Sequence, residues 1–80
     1  MIAVMMKGTR DAVLKRIQPV SIHGQASWEI VFTHVDDSRE QLNAARVGPE
    51  AIAGHTLEVG DRIQLEYLVG VVVKVTRLPG

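Results

Sequence analysis

Residues 57–78 read LEVGDRIQLEYLVGVVVKVTRL, and their spacing decides the fold. Ile63, Leu65, Tyr67 and Val69 alternate strictly with Arg62, Gln64 and Glu66. Successive side chains of an extended backbone point to opposite sides, so this alternation predicts a strand with one buried face. Gly60-Asp61 ahead of it supplies the turn conformations that start the strand. Gly70 breaks the run, and Val71 to Leu78 resumes it with Val71, Val73 and Val75 expected on one face. The pair predicts an antiparallel hairpin bent at Gly70. Its second face is not polar throughout: Leu68, Val72 and Leu78 stand among Lys74 and Thr76. A strand apolar on both sides is normally covered on both. The apolar residues 1–6 folded back, or a second subunit, would supply that cover. A two-fold contact is self-complementary, so the expectation is a homo-oligomer, a dimer, with Leu68, Val72 and Leu78 as its interface.

Working back from this hairpin, the same period recurs. In Ser27 to Val35, Trp28, Ile30 and Phe32 share one face, and Glu29 and Thr33 the other. His23-Gly24-Gln25-Ala26 precedes it as a hairpin connection, and Ala12 to His23 reads as a long, bent edge strand. Lys15 and Arg16 interrupt Val13, Leu14 and Ile17 there, so a helical turn capped by Thr9 competes, but Pro19 blocks a helix running through. Ser38 to Val47 is open to two readings. Ser38 and Gln41 have capping-box spacing and favour a helix, giving an α+β fold; hairpin logic after Val35 favours a turn and a strand from Gln41 to Val47. Strand is the preferred reading. Pro49 to Ala53, closed by Gly54, suits one helical turn. The order is strand, strand, strand, helical turn, strand, strand. Five short strands in 80 residues predict an all-β barrel, because closure removes exposed edges.

Length and composition bound the function. The 80 residues are expected to form one domain, and a chain this short buries only ~60% of its unfolded surface. There is no cysteine, so disulfides and thiolate metal sites are excluded. Aromatics are 4% of a chain that is 46% hydrophobic, so the core must be aliphatic. Nine basic residues balance nine acidic ones, which argues against a nonspecific duplex binder while leaving room for a local patch. Lys7, Arg10, Lys15 and Arg16 form such a patch, opposed in that stretch only by Asp11. No apolar run approaches the ~20 residues that span a bilayer, and residues 1–6 are too short for a secretory signal core; a cytoplasmic protein with no membrane partner is the expectation.

The element order resembles that of the OB-fold, the oligonucleotide/oligosaccharide-binding barrel. Lys7-Gly8-Thr9 before the first strand and Leu57-Glu58-Val59-Gly60-Asp61-Arg62-Ile63 before the fourth carry the resemblance in residues. The second segment is similar to the Gly-Asp turn that enters the fourth strand of several small OB-fold proteins. The resemblance implies a five-stranded barrel and single-stranded DNA or RNA as the partner, with bases stacked on aromatic side chains. Trp28 is the candidate for stacking, and Lys7, Arg10, Lys15, Arg16 and Arg46, with Lys74 and Arg77, for the phosphates.

Other chemistries find little support. His23, His34 and His55 lie in three separate pieces without ligand spacing, so each is expected as a turn or surface histidine and no metal is expected. Asp36-Asp37 before Ser38 reads as turn and cap residues rather than a catalytic pair. No nucleophile motif or phosphate-cradling glycine loop is present, so neither an enzyme nor a cofactor is expected. Two functions remain: a nucleic-acid-binding barrel, and a protein-interaction or assembly module that self-associates through its C-terminal strands.

Overall fold

A computed structural model describes residues 7–52 and 56–79, without the side chains of Lys7 and Ile22. It is all-β: β1 (Lys7–Ile22), β2 (Gln25–His34), β3 (Asn43–Val47), the 3-10 turn η1 (Pro49–Ala51), β4 (Arg62–Leu68) and β5 (Val71–Arg77). The strands form one antiparallel sheet in the order β3-β2-β1-β4-β5. Its two edges, β3 and β5, curl round until they meet, which makes the sheet an OB-like barrel.

The first strand departs from expectation. It starts at Lys7, so Lys7-Gly8-Thr9 lies inside it, and it is the central strand rather than an edge. Its first half pairs with β4 (Lys7↔Leu68 to Val13↔Arg62) and its second half with β2 (Ala12↔His34 to Ile22↔Gln25). One strand bonds two neighbours in sequence only by bending. A bulge supplies the bend: Leu14 faces Phe32 and Arg16 faces Val31, so Lys15 is the extra residue. The bulge also shifts the phase, so that Leu14 and Ile17, three apart, both turn to the core.

Ser38 to Val47 resolves as the preferred reading, shortened. Asp37 accepts hydrogen bonds from the Arg39 amide (2.9 Å) and the Gln41 amide (3.3 Å), which holds a turn before β3 begins at Asn43. The side chain that holds this turn is Asp37, the residue before Ser38. Pro49–Ala51 forms a 3-10 turn where a helical turn to Ala53 was expected, with Ala53 and Gly54 outside the described residues, and Ala51 and Ile52 are buried against the barrel. Both hairpins close through two-residue turns with left-handed φ at both positions: His23 (51°) and Gly24 (78°), Val69 (52°) and Gly70 (76°). That pattern is the type I′ turn, whose twist matches that of the strands.

The core consists of Ala12, Leu14, Ile30, Phe32, Val47, Ala51, Ile52, Ile63, Leu65, Val72 and Val75. Six of its side chains (Phe32, Leu14, Ile30, Ile63, Leu65, Val75) are wholly enclosed, and each such burial stabilises by roughly 1.5–3 kcal/mol. The last strand corrects the expected faces. A second bulge in the β4–β5 pairing, where Glu66 faces Lys74 but Tyr67 faces Val72, leaves Val73 as the extra residue. Val72 and Val75 therefore point inward, while Val71 and Val73 are exposed. Val72 is a core residue and is not available as an interface. Val69, expected on the core face, is 69% exposed.

Candidate nucleic-acid interface

The outer face of β1, β2 and β3 carries a polar row that crosses all three strands. Gln18 lies opposite Glu29, and Glu29 opposite Arg46. Arg16 Nη2 donates to Gln18 Oε1 (2.6 Å), Gln18 Nε2 donates to Glu29 Oε1 (2.9 Å), and Arg46 Nη2 stands 3.7 Å from Glu29 Oε2. Arg16 is on this face only because of the Lys15 bulge. Beside the row, Val31 and Ala44 form a low floor in register with Arg16. Lys15 and Arg62, together with Asp37 and Glu40 of the β2–β3 turn, line a cleft of about 440 Å³. Among the described residues, Lys15, Arg16 and Arg62 have no ion-pair partner. The surface can hold anions on guanidinium and ammonium groups over a small-residue floor.

The structure brings Lys15, Arg16 and Arg46 to one side of the barrel and separates the other proposed contacts from them. Arg10 projects over one barrel end, where its Nη2 meets Asp36 Oδ1 at 2.8 Å. Trp28 shares the inner face with Ile30 and Phe32, opposite Pro19 and Val47. Half-buried, it packs on the core at the other end of the barrel, and with Ile17, Pro49, Ile52, Thr56 and Leu57 it lines a cleft of about 310 Å³. Lys74 lies on the outer face of β5, and Arg77 is paired with Asp61 at 3.3 Å. Leu78 is half-buried and Leu68 is exposed. The side chain of Lys7, and His55, lie outside the described residues.

One polar cluster escaped sequence reading. His34, expected at the surface, ends β2 on its inner face and is buried. Its ring packs edge-on against Phe32. The Asn43 amide group donates to Gln41 O (3.1 Å) and approaches His34 Nδ1 at 3.5 Å. On the other side of the ring, His34 Nε2 and the Tyr67 hydroxyl share a hydrogen bond of 2.9 Å. Burial, followed by the Arg10 guanidinium, holds the His34 pKa below its ordinary value, against the weaker pull of Asp36 and Asp37. Burial likewise raises the Tyr67 hydroxyl pKa. Neutral His34 thus ties β2, β3 and β4 together at one mouth of the barrel. The only sequence signal was its phase with Phe32. His23, by contrast, is the turn residue expected.

No family model matches this chain, and no curated protein matches it. Among solved structures, the barrel resembles the dimeric N-terminal domain of PriB from Thermoanaerobacter tencongensis. The TM-score is 0.65 at 15% identity, over 92% of this chain and 97% of that one. The likeness shows the fold: an OB-type barrel with the strand order described above. No helix among the described residues is long and apolar enough to cross a membrane.

Proposed function

We propose that this chain is a non-catalytic, cytoplasmic OB-type domain spanning residues 1–80, which binds single-stranded DNA or RNA on the outer face of β1–β3 and acts as a homodimer. The observation that carries the reading is the Arg16–Gln18–Glu29–Arg46 row, set on an OB barrel beside Lys15. The likeness to a PriB domain that is itself dimeric supports the dimer. Phosphates would replace Glu29 as the partner of Arg46 and take up the exposed Lys15 and Arg16. Phe32 and Tyr67 lie on the inner face and Trp28 packs on the core, so base contacts on the outer face fall to guanidinium planes, which can stack on bases. Trp28 can add a stacking contact only at the cleft it lines, away from the row.

Anisotropy titration of labelled single-stranded and duplex oligonucleotides against salt tests this reading. The expected result is a preference for single strands with a log–log salt slope of about −2, from three phosphate contacts at ~0.7 each. The double variant Arg16→Ala, Arg46→Ala should bind more weakly whatever the oligonucleotide sequence. Absence of binding at low salt would move the case to the second reading, a protein-interaction module. The exposed valines of the β4–β5 hairpin favour that alternative.

A further inference from the structure

We infer that the β4–β5 hairpin tip, Leu68, Val69, Val71 and Val73, is the surface on which a second copy of this chain docks. This rests on the dimer proposed above and gives it a location. Among the described residues seven large apolar side chains are exposed, and four of them fall within the six positions 68–73. The register explains why they gather. Leu68 lies opposite Val71 on the outer face, and the bulge at Val73 adds a third apolar side chain to that face instead of sending it to the core. Val69 extends the patch over the turn.

The turn is built against local preference. A type I′ turn wants Asn or Gly at its first position, and a β-branched residue there is a steric outlier. Val69 nonetheless holds φ at 52° with 69% of its surface exposed, so no packing within the described chain accounts for it. Backbone strain retained at an exposed apolar side chain marks a place where that side chain is used.

The border of the patch points to a second copy as the occupant. Glu66 and Lys74 are directly opposite each other beside it, and neither has an ion-pair partner among the described residues. In a two-fold contact, Lys74 of one copy meets Glu66 of the other and the reverse pair forms by symmetry. A chain with no net charge adds no long-range repulsion to that approach.

The test is sedimentation of the full chain and of the double variant Val69→Asn, Val71→Thr, both residues suited to the backbone they would occupy. Circular dichroism confirms the fold, and oligonucleotide titration of the same samples gives a second readout. The expected result is a wild-type dimer at tens of micromolar, a dimer dissociation constant raised roughly tenfold or more in the variant, and per-chain oligonucleotide affinity retained. A dimeric wild type with an equally dimeric variant overturns the location and leaves the dimer standing. A monomeric wild type overturns both the location and the dimer, while the strand-binding half of the proposed function is judged separately by the titration.

Discussion

Replacing Val69 by Asn should make the isolated barrel more stable, although Val69 belongs to an apolar patch. The left-handed conformation costs a residue with a Cβ roughly 1–2 kcal/mol, and Asn tolerates it far better than a β-branched side chain. Val69 is 69% exposed, so the exchange forfeits little buried apolar surface. Its neighbour Gly70 already satisfies the second left-handed position at 76°. Relief of about half the strain gives a gain of about 0.5–1 kcal/mol, which for a domain of this size raises Tm by about 2–8 °C. Thermal unfolding followed by circular dichroism measures it. Association also shifts Tm, so the comparison belongs at dilutions where Tm no longer depends on protein concentration. Val69→Ala serves as the control, because it trims the side chain but keeps a Cβ in the left-handed region. An unchanged or lower Tm for Val69→Asn in the dilute regime would refute the claim that the turn is strained.

Further outcomes follow from the same geometry. Because the folded pKa of His34 is depressed below the ordinary 6.5, its contribution to stability is complete above about pH 6.5 and is lost as pH falls through the lower folded value; denaturant midpoints against pH should show this fall, and His34→Gln should flatten it. Tyr67→Phe removes the hydroxyl that hydrogen-bonds His34 Nε2 and should cost about 1–2 kcal/mol in urea unfolding. Val72→Asp buries a carboxylate in the core and should leave the chain unfolded by circular dichroism, whereas Leu68→Asp should fold. Trp28→Ala should lower stability by about 2 kcal/mol through lost packing, with a smaller effect on oligonucleotide affinity than Arg16→Ala, Arg46→Ala; the opposite ranking would make Trp28 a ligand contact.

Period-two reading found the second and fourth strands and most of the core, because Trp28 to Phe32 and Arg62 to Tyr67 keep strict register; the third strand came from hairpin logic against a competing helix, and the turn at Pro49 from its flanking proline and glycine. It failed at the two bulges. A bulge inserts one residue and reverses the face of everything beyond it. Leu14-Lys15-Arg16-Ile17 and Val72-Val73-Lys74-Val75 share one pattern: two core residues three apart, enclosing two outward ones, the second of them basic. At the first site this spacing imitated a helical turn; at the second it put Val71 and Val73 inside and Val72 outside. The candidate interface was legible only in part for the same reason. Arg16 and Arg46 converge through the first bulge and the β1–β2–β3 register, and Glu29 joins them by cross-strand position. The central place of β1 was hidden because both its pairings are long-range, and no local propensity encodes them.

The short third strand has a consequence for the order in which the barrel opens. β3 spans five residues and is hydrogen-bonded on one side only, to β2, while its other edge meets β5 across a seam without ladder bonds. Its detachment breaks one five-residue ladder and the Asn43–His34 contact, whereas removing β1 breaks two ladders. The free energy of opening is therefore graded along the sheet. Amide hydrogens of β3 should exchange with solvent before those of β1 and β4, and the opened form would present the β2 edge, with Phe32 and Ile30 behind it, as a template for unwanted strand pairing. The line along which the barrel closes is thus also the line along which edge-to-edge association of opened chains would begin.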